Sequence, residues 1–234
     1  MTFPLQVSGL YKSFNGRVVL DGVSFDVPRS SITGLLGPNG AGKTTAFKLI
    51  LGLETADAGT VHFGGNLGSL PLYRRAQRGL GYLPQTPTVF TGLSTRDNLI
   101  AILQTLKKPC HRADTLLARF GLTHLSRQKA STLSGGERRR LEFARALCSD
   151  PAILLVDEPF TGVDPIAAQE ICRLMAQLVN DGIGILLTDH SVHHALDLCD
   201  QIHLLVSGRI VESGNGESIR VSETAKRLYL GNNG

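Results

Sequence analysis

The chain of 234 residues lacks the features that mark membrane-spanning and secreted proteins. No apolar run approaches the roughly 20 residues that are needed to cross a bilayer. Residues 1–6 do not show the basic segment and apolar run of a signal peptide. The four cysteines form no C-x-x-C pair, so we interpret them as reduced thiols in the core of a cytoplasmic protein.

Strong charge of either sign is also lacking, since the net charge is only +4. This balance is too weak to indicate nucleic-acid binding, and no nucleic-acid partner is predicted. A mildly basic protein suits work beside an anionic membrane face, although a solvated surface explains the same charges. With 42% hydrophobic and 19% charged residues, the composition is typical of a globular protein.

A glycine-rich loop early in the chain has the pattern of a phosphate-binding site. Residues 37–44 match G-x-x-x-x-G-K-[ST], after a predicted buried strand at 32–36 and before a predicted helix that ends near Gly52. The glycines let backbone N–H groups converge on an anion at the positive end of the helix. Lys43 would contact the β- and γ-phosphates, and the Thr44 hydroxyl would bind Mg²⁺. The predicted nucleotide-binding residues here are Gly37, Pro38, Asn39, Gly40, Ala41, Gly42, Lys43, Thr44 and Thr45.

A second candidate anion site is the pentapeptide Leu133, Ser134, Gly135, Gly136 and Glu137. It opens a segment, residues 138–149, whose apolar residues recur at helical spacing. Ser134 and Glu137 fit a capping box, so the segment could be only a good helix start. Two adjacent glycines add nothing to a cap, and each costs up to about 1 kcal/mol in a helix. They fit an anion that approaches bare backbone at the helix end, which indicates a ligand shared with the first loop.

Two acids follow the most apolar segment of the second half. Residues 152–158 are typical of a central parallel strand that delivers Asp157 and Glu158 at its carboxyl end. Carboxylates in this place can hold a hydrated cation and accept a proton from water. Pro159 favours an extended backbone at Glu158. The alternative is a strand that ends in two solvated acids.

The remaining patterns outline the fold. Alternating apolar residues predict strands at 5–14 and 18–27, and helical spacing recurs around 99–106 and 116–120. After Pro151 strands and helices alternate again, with helices near 166–179 and 191–198. A hairpin is predicted at 202–211, and the tail at 222–230 has a helical pattern.

The order of these motifs resembles the ABC (ATP-binding cassette) ATPases, whose signature is the pentapeptide at 133–137. The resemblance implies an α/β fold: a P-loop NTPase with a RecA-like parallel core sheet, an antiparallel β subdomain and an inserted α-helical subdomain. It implies one domain over 1–234, with a nucleotide-binding core at 1–85 and 150–234 and a helical subdomain at 86–149. In the family two cassettes stack head to tail, and the signature of one covers the γ-phosphate on the other's loop.

The family pattern also assigns catalytic and metal-binding roles. Asp157 would hold Mg²⁺ through water, and Glu158 would orient and deprotonate the attacking water. Gln85, after residues 81–84, matches the Q-loop glutamine, whose amide oxygen can bind Mg²⁺ or a water. His190 matches the switch histidine that contacts the γ-phosphate. The implied metal ligands are Thr44, Gln85 and Asp157.

Two more positions match family elements. Asp164, in the sequence G-V-D-P at 162–165, matches the D-loop that crosses the dimer interface. Tyr11 fits the aromatic residue that stacks on adenine, a contact that contributes about 1 kcal/mol or more. Its alternative role is a strand tyrosine half in the core.

Partners follow from the same resemblance. A cassette without a membrane span works through transmembrane permease subunits, and a single cassette per chain implies a homodimer that forms on ATP binding. In the family a coupling helix of the permease enters the groove that corresponds to residues 86–99. Phe90 and Leu93 are its predicted contacts, with packing inside the helical subdomain as the alternative.

Within the family, residues 70–85, 134–140, 157–160 and 226–231 are similar to the ATPases of lipopolysaccharide export, which sit on the cytoplasmic face of the inner membrane. Branched-chain amino-acid importer ATPases share several of these strings, and residues 215–218 depart from both. A soluble ABC ATPase of translation or DNA repair and a regulator without turnover stay open as alternatives.

Overall fold

The computed structural model describes residues 4–189 and 192–231, with the side chains of residues 192 and 193 left out. The strands are β1 (Leu5–Phe14), β2 (Arg17–Val27), β3 (Ile32–Leu36), β4 (Ala58–His62), β5 (Leu80–Leu83), β6 (Ile153–Asp157), β7 (Gly184–Thr188), β8 (Gln201–Val206) and β9 (Arg209–Gly214). The helices are α1 (Lys43–Leu51), α2 (Leu72–Gln77), α3 (Thr95–Thr105), α4 (Arg112–Arg119), α5 (Gly135–Ala146), α6 (Pro165–Asn180), α7 (Val192–Leu198), α8 (Gly216–Val221) and α9 (Glu223–Ala225). A π-helical turn, Lys226–Leu230, follows α9.

The described strands form two sheets. One is antiparallel, in the order β2-β1-β4, and the other runs β5-β6-β7-β3-β8-β9. In the second sheet the first five strands are parallel, and β9 pairs antiparallel with β8 at the edge. Strands β3, β6 and β7 are buried along their whole length, as expected for strands covered on both faces. The predicted α/β fold with a parallel core and an antiparallel sheet is confirmed.

A helical segment lies between β5 and β6. Helices α3, α4 and α5 share a core with buried Leu99, Leu103, Leu117 and Phe143. This is the segment for which the sequence predicts helical spacing. Helix α5 begins at Gly135 and ends at Ala146, a few residues before the predicted span of 138–149.

A buried arginine that the sequence does not predict stabilises the end of α1, the helix after the phosphate loop. Arg75 on α2 is only 3% exposed, and its guanidinium donates hydrogen bonds to the carbonyls of Leu49 (2.8 Å), Ile50 (2.7 Å), Leu70 (2.7 Å) and Gly68 (2.6 Å). The carbonyls of the last turn of a helix have no partner inside the helix. Arg75 therefore caps the C-terminal end of α1 with a positive charge.

Candidate active site

The glycine-rich loop joins β3 to α1 at the carboxyl edge of the parallel sheet. Gly42 precedes α1 with φ of 112°, and a Cβ there would lie 2.7 Å from Leu20 Cδ2. A Cβ on Gly37, whose φ is 154°, would lie 2.0 Å from the Leu205 carbonyl oxygen. Packing inside the chain therefore requires glycine at these two positions, independently of any ligand.

Lys43 lies inside the curl of this loop. Its side chain is buried, and Nζ donates to the carbonyl oxygens of Gly37 (2.6 Å) and Pro38 (3.0 Å). Burial lowers the pKa of Lys43, and the charge of Glu158 opposes that shift. Two carbonyl oxygens of the loop therefore hold the ammonium in place, and neither of these two hydrogen bonds involves a carboxylate.

A cavity of about 200 Å³, here called the phosphate cavity, opens over the loop. It is lined by residues 39–45, Val19 and Glu158. The structure therefore brings the predicted phosphate loop and the predicted catalytic acid to one cavity. Tyr11 lies outside this set: it is half-buried on β1, and its carbonyl accepts a hydrogen bond from the Asp57 N–H at 3.0 Å. Its contact with adenine stays a prediction.

Asp157 ends β6 and is held from two sides. The Thr188 hydroxyl donates to Asp157 Oδ1 at 2.6 Å, and the Tyr82 hydroxyl lies 3.4 Å from Oδ2. Burial, together with the charge of Asp157, raises the pKa of Tyr82 to about 12. Neither partner is predicted from the sequence, although polar residues at or near the ends of neighbouring apolar strands are a signal for them.

The backbone of Glu158 differs from the prediction. The proline that follows favours an extended conformation, but Glu158 has φ of 44°, in the left-handed region. Its N–H donates to the Thr188 carbonyl at 2.8 Å, and the Phe160 N–H donates to Asp189 Oδ2 at 3.1 Å. These two bonds turn the chain sharply after β6. Strain of about 1–3 kcal/mol at such a residue persists only where tertiary contacts over-determine it, and it is typical of functional sites.

Gln85 and Glu158 are in direct contact. Gln85 Nε2 donates to Glu158 Oε2 at 2.7 Å, and the Thr161 hydroxyl donates to the same oxygen at 3.2 Å. The carboxylate of Glu158 is therefore oriented by the loop after β5 and by its own loop. Thr161 was not singled out from the sequence.

The signature segment forms the capping box that the sequence allows. Ser134 Oγ accepts from the Glu137 N–H at 3.3 Å, and Glu137 Oε2 accepts from the Ser134 N–H at 2.8 Å. These bonds lower the pKa of Glu137. A Cβ on Gly135 would meet nothing within 4 Å, and one on Gly136 would meet only Glu170 Oε2, at 3.5 Å. The capping box therefore does not explain the two glycines, and packing within the described chain does not require either of them.

A second cavity, of about 240 Å³, separates the start of α5 from the start of α6. Its lining includes Gln85, Gly135, Glu158 and Asp164. Asp164 caps α6, since its Oδ1 accepts from the N–H groups of Ile166 (2.9 Å) and Ala167 (3.0 Å). Gly135 and Gly136 of the predicted signature and Asp164 of the predicted D-loop thus line one cavity with the predicted base. His190 lies outside the described residues.

Comparison with known proteins identifies the family. A family model described as ABC transporter matches residues 20–161, more than half of the chain. The chain belongs to the ABC transporter family. Among the described residues, none of the helices is long and apolar enough to cross a membrane.

Relatives cover nearly the whole cassette. A probable ABC transporter ATP-binding protein of Azorhizobium caulinodans is 48% identical over 97% of this chain and 83% of its own. The lipopolysaccharide export system ATP-binding proteins LptB of Haemophilus influenzae and Escherichia coli are each 42% identical over 97% of both chains. The solved structure of the ATP-binding cassette MJ1267 in its ADP conformation has a TM-score of 0.91 and 27% identity over 98% of this chain and 100% of that one.

These relatives settle the general activity. The cassette is an ATP-binding, ATP-hydrolysing subunit of an ABC transporter. The cargo is not settled, because the relatives include export proteins of stated cargo and others without one. The roles of single residues stay predictions.

Proposed function

We propose that two copies of the cassette stack head to tail and bind two ATP molecules between them. The observation that supports this most strongly is the bare start of α5. Gly135 and Gly136 expose backbone at a positive helix end, and packing within the described chain does not call for them. The phosphate cavity of the same chain is lined by residues 39–45, Val19 and Glu158, with no member of the signature. The signature therefore serves the loop of the second copy.

Within each site the loop residues 37–45 bind the phosphates and Glu158 acts as general base. Its carboxylate accepts a proton from water as that oxygen bonds to the γ-phosphorus, and the bond from the γ-phosphorus to the oxygen of ADP breaks. Gln85 and Thr161 orient the carboxylate through Oε2. Tyr11 stacks on adenine, and His190 and Asp164 act as the switch and D-loop residues. The signature residues in trans are Leu133, Ser134, Gly135, Gly136 and Glu137.

The donor set fits Mg²⁺. Thr44 offers a hydroxyl, Asp157 a carboxylate and Gln85 an amide oxygen, and hard oxygen ligands from one or two side chains plus substrate phosphates are typical of this ion. Asp157 is buried and held by Thr188 and Tyr82, so its oxygens are pre-positioned. When bound, Mg²⁺ would neutralise charge on the β- and γ-phosphates.

We propose the division of the chain that the sequence suggested, with the nucleotide-binding core at 1–85 and 150–234 and the helical subdomain at 86–149. The helical segment joins the core at Gln85, which follows β5, and near Pro151, which precedes β6. These two strands are neighbours in the sheet. Movement of this segment would carry the signature relative to Glu158.

The shared site can be tested at Gly135. Because a Cβ there meets nothing within 4 Å, leucine should fold normally, while its side chain blocks a phosphate from the helix end. We expect the Gly135→Leu variant to keep its melting temperature and its affinity for ATP and to lose at least about 90% of its turnover. Fluorescent-nucleotide titration and phosphate release measure the two properties. Turnover near the wild-type rate would remove the signature from the site.

We further propose that Phe90 and Leu93 bind a coupling helix of a transmembrane permease. The Phe90 ring is 48% exposed, and Leu93 is 38% exposed. Buried Asn98 clamps the Phe90 backbone, accepting from its N–H at 2.8 Å and donating to its carbonyl at 3.0 Å. The Arg145 guanidinium lies 4.5 Å from the ring centroid and donates to the Thr88 carbonyl. An exposed aromatic ring on so rigid a base is typical of an interaction hot spot.

The cargo that we propose is lipopolysaccharide, exported from the cytoplasmic face of the inner membrane. Two relatives that cover 97% of this chain are named for lipopolysaccharide export. This supports lipopolysaccharide export as the more specific function; import of branched-chain amino acids is the alternative.

Affinity purification of the tagged protein from membranes of its own organism tests the partner and the cargo together. We expect a lipopolysaccharide-export permease to co-purify with the wild-type protein and to fall at least about fivefold with the Phe90→Ala variant, since truncating a hot-spot aromatic costs more than about 1 kcal/mol. Tyr73→Phe, at a comparably exposed ring on α2, is the control. Co-purification of an amino-acid permease would contradict the proposed cargo. Equal capture by the Phe90→Ala variant would show that the permease binds elsewhere on the protein.

A further inference from the structure

The C-terminal segment reaches the back of the candidate active site. Helices α8 and α9 place Ile219 and Ala225 in the main core, where both are buried. The π-helical turn that follows packs Tyr229 and Leu230 against the same core. The tail is therefore part of the folded core up to this turn.

The Tyr229 hydroxyl contacts a strand end beside the active site. It donates a hydrogen bond to the Asp189 carbonyl oxygen at 3.2 Å. Asp189 follows β7, which pairs with β3 on one side and with β6 on the other. The phenol therefore holds the end of the strand that lies between the strand of the phosphate loop and the strand of the catalytic acids.

Asp189 extends this link to the catalytic loop. It is fully buried, and its Oδ2 accepts from the N–H of Phe160, two residues after Glu158. The carbonyl of the preceding residue, Thr188, accepts from the N–H of Glu158 itself. The position of Asp189 therefore fixes the strained turn that presents the Glu158 carboxylate.

We propose that Tyr229 is a positioning residue for ATP hydrolysis, whose hydroxyl fixes the Asp189 strand end and with it the turn that presents the Glu158 carboxylate. This rests on the proposed role of Glu158. Tyr229 acts through Asp189 rather than on the nucleotide. Through the same contact the C-terminal segment affects the hydrolytic site.

Tyrosine suits this position because the hydroxyl stays a donor. Burial, with the charge of Asp189, raises the pKa of Tyr229, so that the phenol stays protonated throughout the pH range in which the protein is assayed. Phenylalanine would keep the ring packing and remove only the hydroxyl. The Asp189 carbonyl would then lose this donor, and the position of the strand end would be less well defined.

The test is the Tyr229→Phe variant of the full chain, with Tyr73→Phe on the exposed surface of α2 as control. We expect kcat for ATP hydrolysis to fall about three- to tenfold, the equivalent of one hydrogen bond, with KM unchanged within about twofold. KM is spared because Asp189, the hydrogen-bond partner of Tyr229, does not line the phosphate cavity. The melting temperature should change by no more than about 4 °C, and Tyr73→Phe should match the wild type.

A kcat within error of the wild type would overturn the proposal. A kcat loss that merely follows a loss of folded protein, measured by active-site titration with nucleotide, would also overturn it. Glu158→Gln, assayed in parallel, distinguishes a failure of the role proposed for Tyr229 from a failure of the proposed active site. If Glu158→Gln is inactive while Tyr229→Phe is normal, only the role of Tyr229 fails; if Glu158→Gln turns over normally, the proposed site itself fails.

Discussion

Changing Glu158 to glutamine should lower ATP hydrolysis about 10²- to 10⁴-fold and leave ATP binding intact, which is the effect of removing a general base. Glutamine keeps the size of the side chain and an oxygen for the Gln85 and Thr161 hydrogen bonds. It cannot accept a proton from water at neutral pH. Because the nucleotide is bound but not cleaved, the variant should also accumulate as an ATP-bound dimer.

Three measurements check this expectation: phosphate release for turnover, nucleotide titration for affinity, and size-exclusion chromatography with ATP for the dimer. Glu217→Gln, on the exposed surface of α8, is the matched control and should behave as wild type. Near-normal turnover of Glu158→Gln would remove Glu158 from its proposed role. A shift of KM with unchanged kcat would make Glu158 a binding residue instead.

Changing Arg75 to methionine should destabilise the fold by about 3–5 kcal/mol, because four carbonyl groups lose the guanidinium as a donor at once, although the Leu49 carbonyl keeps the Gly52 N–H at 3.2 Å. The guanidinium is 3% exposed and donates to the carbonyls of Leu49, Ile50, Gly68 and Leu70. Methionine can fill much of the space but supplies no donor. Since two of these carbonyls end α1, the loop helix should loosen together with the fold.

Urea unfolding followed by circular dichroism measures this loss. Arg74→Met is the matched control, because Arg74 is the exposed neighbour on the same helix and its side chain donates to the exposed Gln77 side chain. We expect the control to change stability by less than about 0.5 kcal/mol. Equal midpoints for the two variants would show that Arg75 does not hold the end of α1.

The parts of the site that depend on local sequence could be predicted. The phosphate loop needs a strand, a glycine-rich turn and a helix in immediate succession, and residues 32–52 show all three. The acids at the end of β6 follow from one apolar run. The capping box of Ser134 and Glu137 is likewise a matter of four consecutive positions.

The parts that depend on distant contacts could not be predicted. The left-handed backbone of Glu158 is imposed by Thr188 and Asp189, which lie about thirty residues away in sequence, against the preference that Pro159 sets. In the sequence Arg75 is one charge of a basic cluster, and only the fold shows that its side chain is buried. Tyr229 is one apolar position in a helical tail, and its partner Asp189 lies 40 residues away in sequence.

The measurement that tests the shared site most directly is complementation between two inactive variants. Lys43→Ala removes the loop lysine and keeps the signature, whereas Gly135→Leu keeps the loop and blocks the signature. Mixed at equal amounts, they should recover up to about a quarter of the wild-type ATPase rate, because half of randomly paired dimers are mixed and each mixed dimer holds one intact site of two. No recovery, with mixed dimers demonstrated by differential tags, would contradict a site that is shared between two chains.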